Sequence, residues 1–146
     1  MTNFDKIKIF TVVLIGSFFF TNIANADISI IVHKESPLSS ITIKEAKRIF
    51  LGVTKKMPNG QNIKIVDYSN NSNLKKSFYM ELTNKSVAQI KSRWAGLVFS
   101  GRATPPLNVK GNNEVKKWLR ENINGIGYID SSSLDSSIKV ILTIKN

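Results

Sequence analysis

The chain has no cysteine and a single histidine, His33. Without cysteine there is no disulfide framework, thiolate nucleophile, thiolate zinc site or lipid-modified N-terminal cysteine. With one imidazole there is no site that needs two. Acidic residues are scarce, 10 Asp and Glu against 21 Lys and Arg, for a net charge of +11 over 146 residues. Glu35, Glu45, Asp67, Glu81, Glu114, Glu121, Asp130 and Asp135 form no close pair in sequence of the kind that would point to glycoside chemistry. None of the many serines stands in Gly-x-Ser-x-Gly. Gly125-Ile126-Gly127 lacks the third glycine of a dinucleotide fingerprint. These absences predict a protein that is not an enzyme and carries no cofactor and no metal.

What is present begins with a leader. Lys6 and Lys8 precede an apolar run from Ile9 to Phe20, and the small-x-small triplet Ala24-Asn25-Ala26 stands before Asp27. This is the pattern of a cleaved secretory signal; the run is too short for the ~20 residues that span a bilayer. Residues 1–26 are expected to be removed, and residues 27–146 to form one domain in the periplasm. Removing the first 26 of 146 residues leaves 120, and the two lysines and one aspartate lost with them turn +11 into +10. An exported basic chain meets anionic solutes, lipid head groups and acidic partners, so nucleic acid is not the expected partner. The lysines are scattered, with no run long enough for a basic arm.

The remaining residues alternate strand and helix patterns. Ile28–His33 reads as a mostly buried strand. Thr42 and Glu45 form a capping box ahead of Ile43, Ala46, Ile49 and Phe50, and Gly52 closes that helix. Pro58-Asn59-Gly60 turns into a second strand, Ile63–Tyr68. A helix with Leu74, Phe78 and Leu82 on one face follows. Ser86 caps another through Phe99, with Ile90, Trp94, Leu97 and Val98 inward, and Gly101 ends it. Arg102-Ala103-Thr104-Pro105-Pro106 is an ordered extended loop. Asn113 caps a helix carrying Val115, Trp118, Leu119 and Ile123; Gly125–Ile129 is a strand. In the last strand, Ile138, Val140, Leu142 and Ile144 share one face. The fold class is therefore α/β, a mixed sheet of four or five strands flanked by helices.

Between the second strand and its helix lies Ser69-Asn70-Asn71-Ser72-Asn73, with Lys75 and Lys76 one turn later. A Ser/Asn-rich helix start offers free backbone N–H groups, the positive end of the helix dipole and side-chain donors, which suits phosphate, sulfate or a carboxylate. The plain reading is that Ser72 caps the helix and the asparagines make the turn. Ser39 and Ser40 are further candidates, because loops after strand ends gather at the ligand-facing rim of an open α/β sheet. Arg102 is a candidate from its charge and its stiff loop.

The ordered set Ile41-Thr42-Ile43-Lys44-Glu45, Ile49-Phe50-Leu51-Gly52, Pro58-Asn59-Gly60, Ser72, Phe78, Trp94, Phe99-Ser100-Gly101, Pro105-Pro106 and Gly125-Ile126-Gly127-Tyr128 resembles the phosphate-type periplasmic solute-binding proteins of ABC transporters, above all their short single-lobe relatives. The resemblance implies a type II periplasmic-binding lobe. It implies phosphate or another small anion as ligand, a membrane transporter or sensor as partner, and a cleft completed by dimerisation or by that partner. The family's Ser-Gly-Thr anion triplet aligns with Ser72-Asn73-Leu74, and its arginine four residues earlier with Tyr68. The alternative is an accessory or sensor interaction protein that kept the lobe and lost the anion site.

Overall fold

The computed structural model describes residues 26–146. Apart from Ala26, the expected leader lies outside them. The elements run β1 (Ile28–His33), α1 (Ile43–Phe50), β2 (Lys64–Tyr68), α2 (Asn73–Thr83), α3 (Val87–Phe99), β3 (Leu107–Val109), α4 (Asn112–Glu121), β4 (Gly125–Asp130), a 3-10 turn (Ser131–Ser133) and β5 (Ile138–Ile144).

Local chemistry sets most boundaries. Thr42 Oγ1 accepts the Glu45 N–H at 3.2 Å, and Glu45 Oε2 accepts the Thr42 N–H at 2.7 Å, the reciprocal box that starts α1. Ser86 and Gln89 repeat it for α3. Gly52 and Gly101 take φ of 69° and 68°, left-handed values that let the chain leave α1 and α3 without a Cβ clash. Asn113, by contrast, caps nothing. α4 begins one residue earlier, with Gly111 at the cap position and no side-chain bond there. Because α4 stops at Glu121, Ile123 lies beyond it and is exposed. Val98 is exposed too, leaving Ile90 and Trp94 as the buried residues of α3.

The sheet has five strands in the order β3-β2-β4-β1-β5. β2 pairs in parallel with β3 and β4, and β1 is antiparallel to both β4 and β5, so β1 alone runs against the other four. The three-residue β3, Leu107–Val109, lies just past Pro106 and was not legible as a strand. A bulge in the β1–β5 pairing falls between Ile30 and Ile31, where β5 carries the extra residue Ile141. It shifts the phase of β5: Ile138, Ile141 and Ile144 are buried and Val140 is exposed, instead of the even alternation the sequence predicts.

Helices cover both faces. On one, Tyr128 of β4 stacks on Phe78 of α2 (centroids 3.6 Å apart) and meets Phe50 of α1 edge-on at 5.8 Å. On the other, Gly127 lies against Val66 and Val115 of α4; a Cβ there would come within 2.6 Å of Val66 Cγ1. Glycine at 127 is what lets α4 seat closely on the sheet.

Candidate functional site

β2 and β4 end at one rim, the rim where ligands of open α/β sheets bind. The segment leaving β2 turns there into α2. The Ser69 N–H donates to the Val109 carbonyl (3.0 Å), prolonging the β2–β3 pairing by one bond. The Ser72 N–H donates to the Ser69 carbonyl (3.0 Å), which closes the turn, and the Ser69 hydroxyl bonds Asn71 Oδ1 (2.9 Å). Ser72 Oγ accepts the Lys75 N–H (3.3 Å) and its carbonyl accepts the Lys76 N–H (3.2 Å). The cap expected of Ser72 is thus formed. It occupies an acceptor lone pair of the hydroxyl and leaves its O–H free to donate. The N–H groups of Asn73 and Leu74 have no protein acceptor among the described residues. Two first-turn donors and a serine O–H therefore share the positive end of an 11-residue helix.

Lys75 does not join them. It is buried, and its ammonium reaches Asp67 Oδ2 (3.0 Å), the Tyr68 carbonyl (3.0 Å) and Asn70 Oδ1 (3.1 Å), which uses all three of its donors. Lys76 is the exposed cation of the pair. Asp67 is equally buried and also receives the Tyr79 hydroxyl (2.9 Å), the Tyr128 hydroxyl (2.5 Å) and the Tyr68 N–H (2.7 Å). A charged pair with every polar atom engaged thus lies beneath the Ser/Asn turn and fixes it through Tyr68 and Asn70. Strand alternation explains its position, since Val66 faces α4 and Asp67 therefore faces α2, where Tyr79 and Lys75 lie one turn apart. A second chain of bonds ties the same rim together: the Tyr68 hydroxyl donates to Asn112 Oδ1 (2.5 Å), and Asn112 Nδ2 donates to Ser133 Oγ (2.8 Å). Neither network was legible beforehand. The only signal was an aspartate in an otherwise apolar strand end, Ile65-Val66-Asp67-Tyr68.

The other expected site residues lie elsewhere. Because β1 runs against the sheet, its C-terminal end pairs beside the start of β4 (Val32 opposite Ile126), at the rim opposite Ser72. The chain carrying Ser39 and Ser40 leaves from that opposite rim and returns along β5, where the Ile41 N–H donates to the Ile141 carbonyl (3.2 Å). Both serines are exposed. Arg102 is also exposed and lines a cavity of about 540 Å³ together with Lys64, the first residue of β2. That is the far end of a strand on which Ser72 follows the near end, roughly 13 Å of strand away at ~3.3 Å per residue. Ser69–Asn73 therefore stands without Ser39, Ser40 or Arg102.

All three tyrosines of the chain belong to this buried rim. Burial, and after it the negative charge of Asp67, pushes the Tyr79 and Tyr128 hydroxyls well above their usual 10.0. Burial, followed by the charges of Asp130 and Asp67, raises Tyr68 as well. The folded chain keeps these protons where the unfolded chain loses them near pH 10. The stability they contribute is complete below about pH 10 and is lost as pH rises through the folded-state values. Tyrosinate absorbance is expected to appear together with loss of the circular dichroism of the fold. Tyrosines that ionise near pH 10 with the fold intact would contradict this.

No protein-family model matches the sequence, and no curated protein matches it at a significant level. Solved structures do match its fold. An ABC-type phosphate transport receptor from Vibrio cholerae is 22% identical with a TM-score of 0.63, over 81% of this chain and 47% of that one. A phosphate ABC transporter substrate-binding protein with bound phosphate from Clostridium perfringens is 21% identical with a TM-score of 0.64, over 82% and 46%. PstS from Borrelia burgdorferi is 16% identical with a TM-score of 0.60, over 80% and 47%. The chain has the fold of a periplasmic binding protein lobe, and it spans about half the length of the solved proteins it matches.

Proposed function

We propose that this protein is an exported, non-catalytic solute-binding module that takes phosphate or another small anion at the start of α2. The observation that carries the reading is the convergence of the unpartnered Asn73 and Leu74 N–H groups with the Ser72 hydroxyl at a helix N-terminus, on the C-terminal rim of parallel strands. Asn70, Asn71 and Ser69 shape the turn, and Lys76 adds an exposed positive charge one turn on. Tyr68 stands where the resemblance implies an arginine, and Lys75 is spent on Asp67, so this lobe offers fewer charged donors than a site built to hold phosphate alone. The remaining half of the cleft would come from a second copy or from a membrane transporter or sensor component.

Titration calorimetry with phosphate, sulfate and small carboxylates tests this reading. Ser72→Ala is expected to cost about 1.5–3 kcal/mol of anion binding, ten- to a hundredfold in affinity, and only about 1 kcal/mol of stability for the lost cap. Equal affinity of wild type and variant would remove the site. The second reading is an interaction protein that docks on a partner without an anion. It is favoured by Phe99, which ends α3 with 96% of its surface exposed. Absence of binding at millimolar anion would select it. Export through the N-terminal segment is checked by the mass of protein recovered from the periplasm, expected to begin at Asp27; an intact Met1 would refute cleavage.

A further inference from the structure

The opposite rim of the sheet holds a second feature that the anion reading does not use. The chain after α1, the start of β2 and the loop after α3 line this open cavity of about 540 Å³, which lies within the ~300–1,000 Å³ typical of small-molecule sites. Its walls include Trp94, Trp118, Ile63 and Leu107. Trp94 donates its indole N–H to the Phe50 carbonyl (3.2 Å), which fixes the ring against Gly52. Trp118 is half-buried against Gly125, where a Cβ would come within 2.7 Å of its ring.

Three cations, Lys55, Lys64 and Arg102, line the same cavity, and no carboxylate does. None of the three forms a salt bridge among the described residues. Lys55 donates to the Arg102 carbonyl, joining two of the walls across the cavity. Among the described residues Lys64 reaches only the neutral Asn122 amide oxygen, at 3.4 Å. The Arg102 guanidinium has no acceptor and no salt-bridge partner among the described residues, so its planar fork is open to a two-oxygen anion. Flat apolar walls and uncompensated positive charge together select a ligand with both an aromatic body and an anionic head. Inorganic phosphate or sulfate would leave the exposed apolar wall of Trp118, Ile63 and Leu107 uncovered.

We propose that this cavity is a binding site for small aromatic carboxylates or sulfonates, separate from the start of α2. Both tryptophans of the chain line it, so intrinsic fluorescence reports on it directly. Titration of the purified protein with naphthalene-2-sulfonate is expected to give saturable quenching. Arg102→Glu, on an exposed loop, is expected to weaken binding ten- to a hundredfold, in line with a lost charge-assisted bond. Trp118→Leu should weaken it about tenfold, and circular dichroism checks that each variant folds. Naphthalen-2-ylmethanol, which keeps the rings and drops the charge, should bind at least tenfold more weakly. Ser72→Ala should leave the titration unchanged, whatever the fate of the anion site at α2. Absence of saturable quenching, equal binding of the neutral alcohol, an Arg102→Glu variant of wild-type affinity, or a dependence on Ser72 would each overturn the proposal.

Discussion

Replacing Lys75 by methionine is expected to cost about 3–5 kcal/mol of stability, the price of leaving a buried carboxylate without its counter-charge. Asp67 would keep the Tyr79 and Tyr128 hydroxyls and the Tyr68 N–H. Three neutral donors solvate a charge less well than an ammonium at 3.0 Å. The double variant Lys75→Met/Asp67→Asn removes the charge while keeping an acceptor for a tyrosine hydroxyl, so it is expected to recover most of the loss. Urea midpoints for the two single variants and the double one form a cycle whose coupling term measures the pair. A Lys75→Met variant within about 1 kcal/mol of wild type would mean that the pair is hydrated and structurally idle. The same variant frees Asn70 Oδ1 and the Tyr68 carbonyl, so weaker anion binding should accompany the lost stability, because the turn carrying Ser72 loses its anchor. The pair is nearly inaccessible to solvent, and salt should therefore change these results little.

Phe78→Ala is expected to be comparably damaging, about 3–5 kcal/mol, because the site it empties is walled by rigid partners that cannot collapse into it. Its ring lies flat on Tyr128 at 3.6 Å and meets Phe50 edge-on at 4.8 Å and Tyr79 at 5.1 Å. Those partners come from β4, α1 and α2, so one deletion loosens the layer on which the Asp67 network rests. Phe78→Leu keeps most of the volume and should cost under about 1.5 kcal/mol. Thermal or urea unfolding of the two variants separates them; an equally large loss for Phe78→Leu would show that ring packing, and not the filled volume, carries this site. Tyr128 carries both layers of this argument, since its ring packs on Phe78 and its hydroxyl holds Asp67.

Signals that act within a few residues were legible in the sequence. Thr42 with Glu45, Ser72 and Ser86 start their helices because a side-chain oxygen meets an N–H three residues on. Gly52 and Gly101 end theirs because only a residue without Cβ takes that backbone cheaply. The alternation of these elements sufficed for the α/β class, and the order of its motifs for the likeness to a periplasmic-binding lobe. The sequence by itself also determined that Ser72 sits where donors converge, because that follows from a cap and a helix start alone.

What only the tertiary structure decided is everything that depends on strand direction and on side chains far apart in sequence. Ser39 and Ser40 follow a strand that runs against the other four, and no local pattern reports the direction of a strand. The bulge opposite Ile30 and Ile31 rephases β5 through a pairing partner more than a hundred residues away. Lys75 reads as a free cation until Asp67, Tyr79 and Tyr128 close around it, and Arg102 joins Trp94 and Trp118 only when α3, the loop after it and α4 meet at the start of β2. Capping is settled by hydrogen bonds within one turn of chain, whereas burial of a charge and the walls of a cavity exist only once the sheet has brought distant segments together.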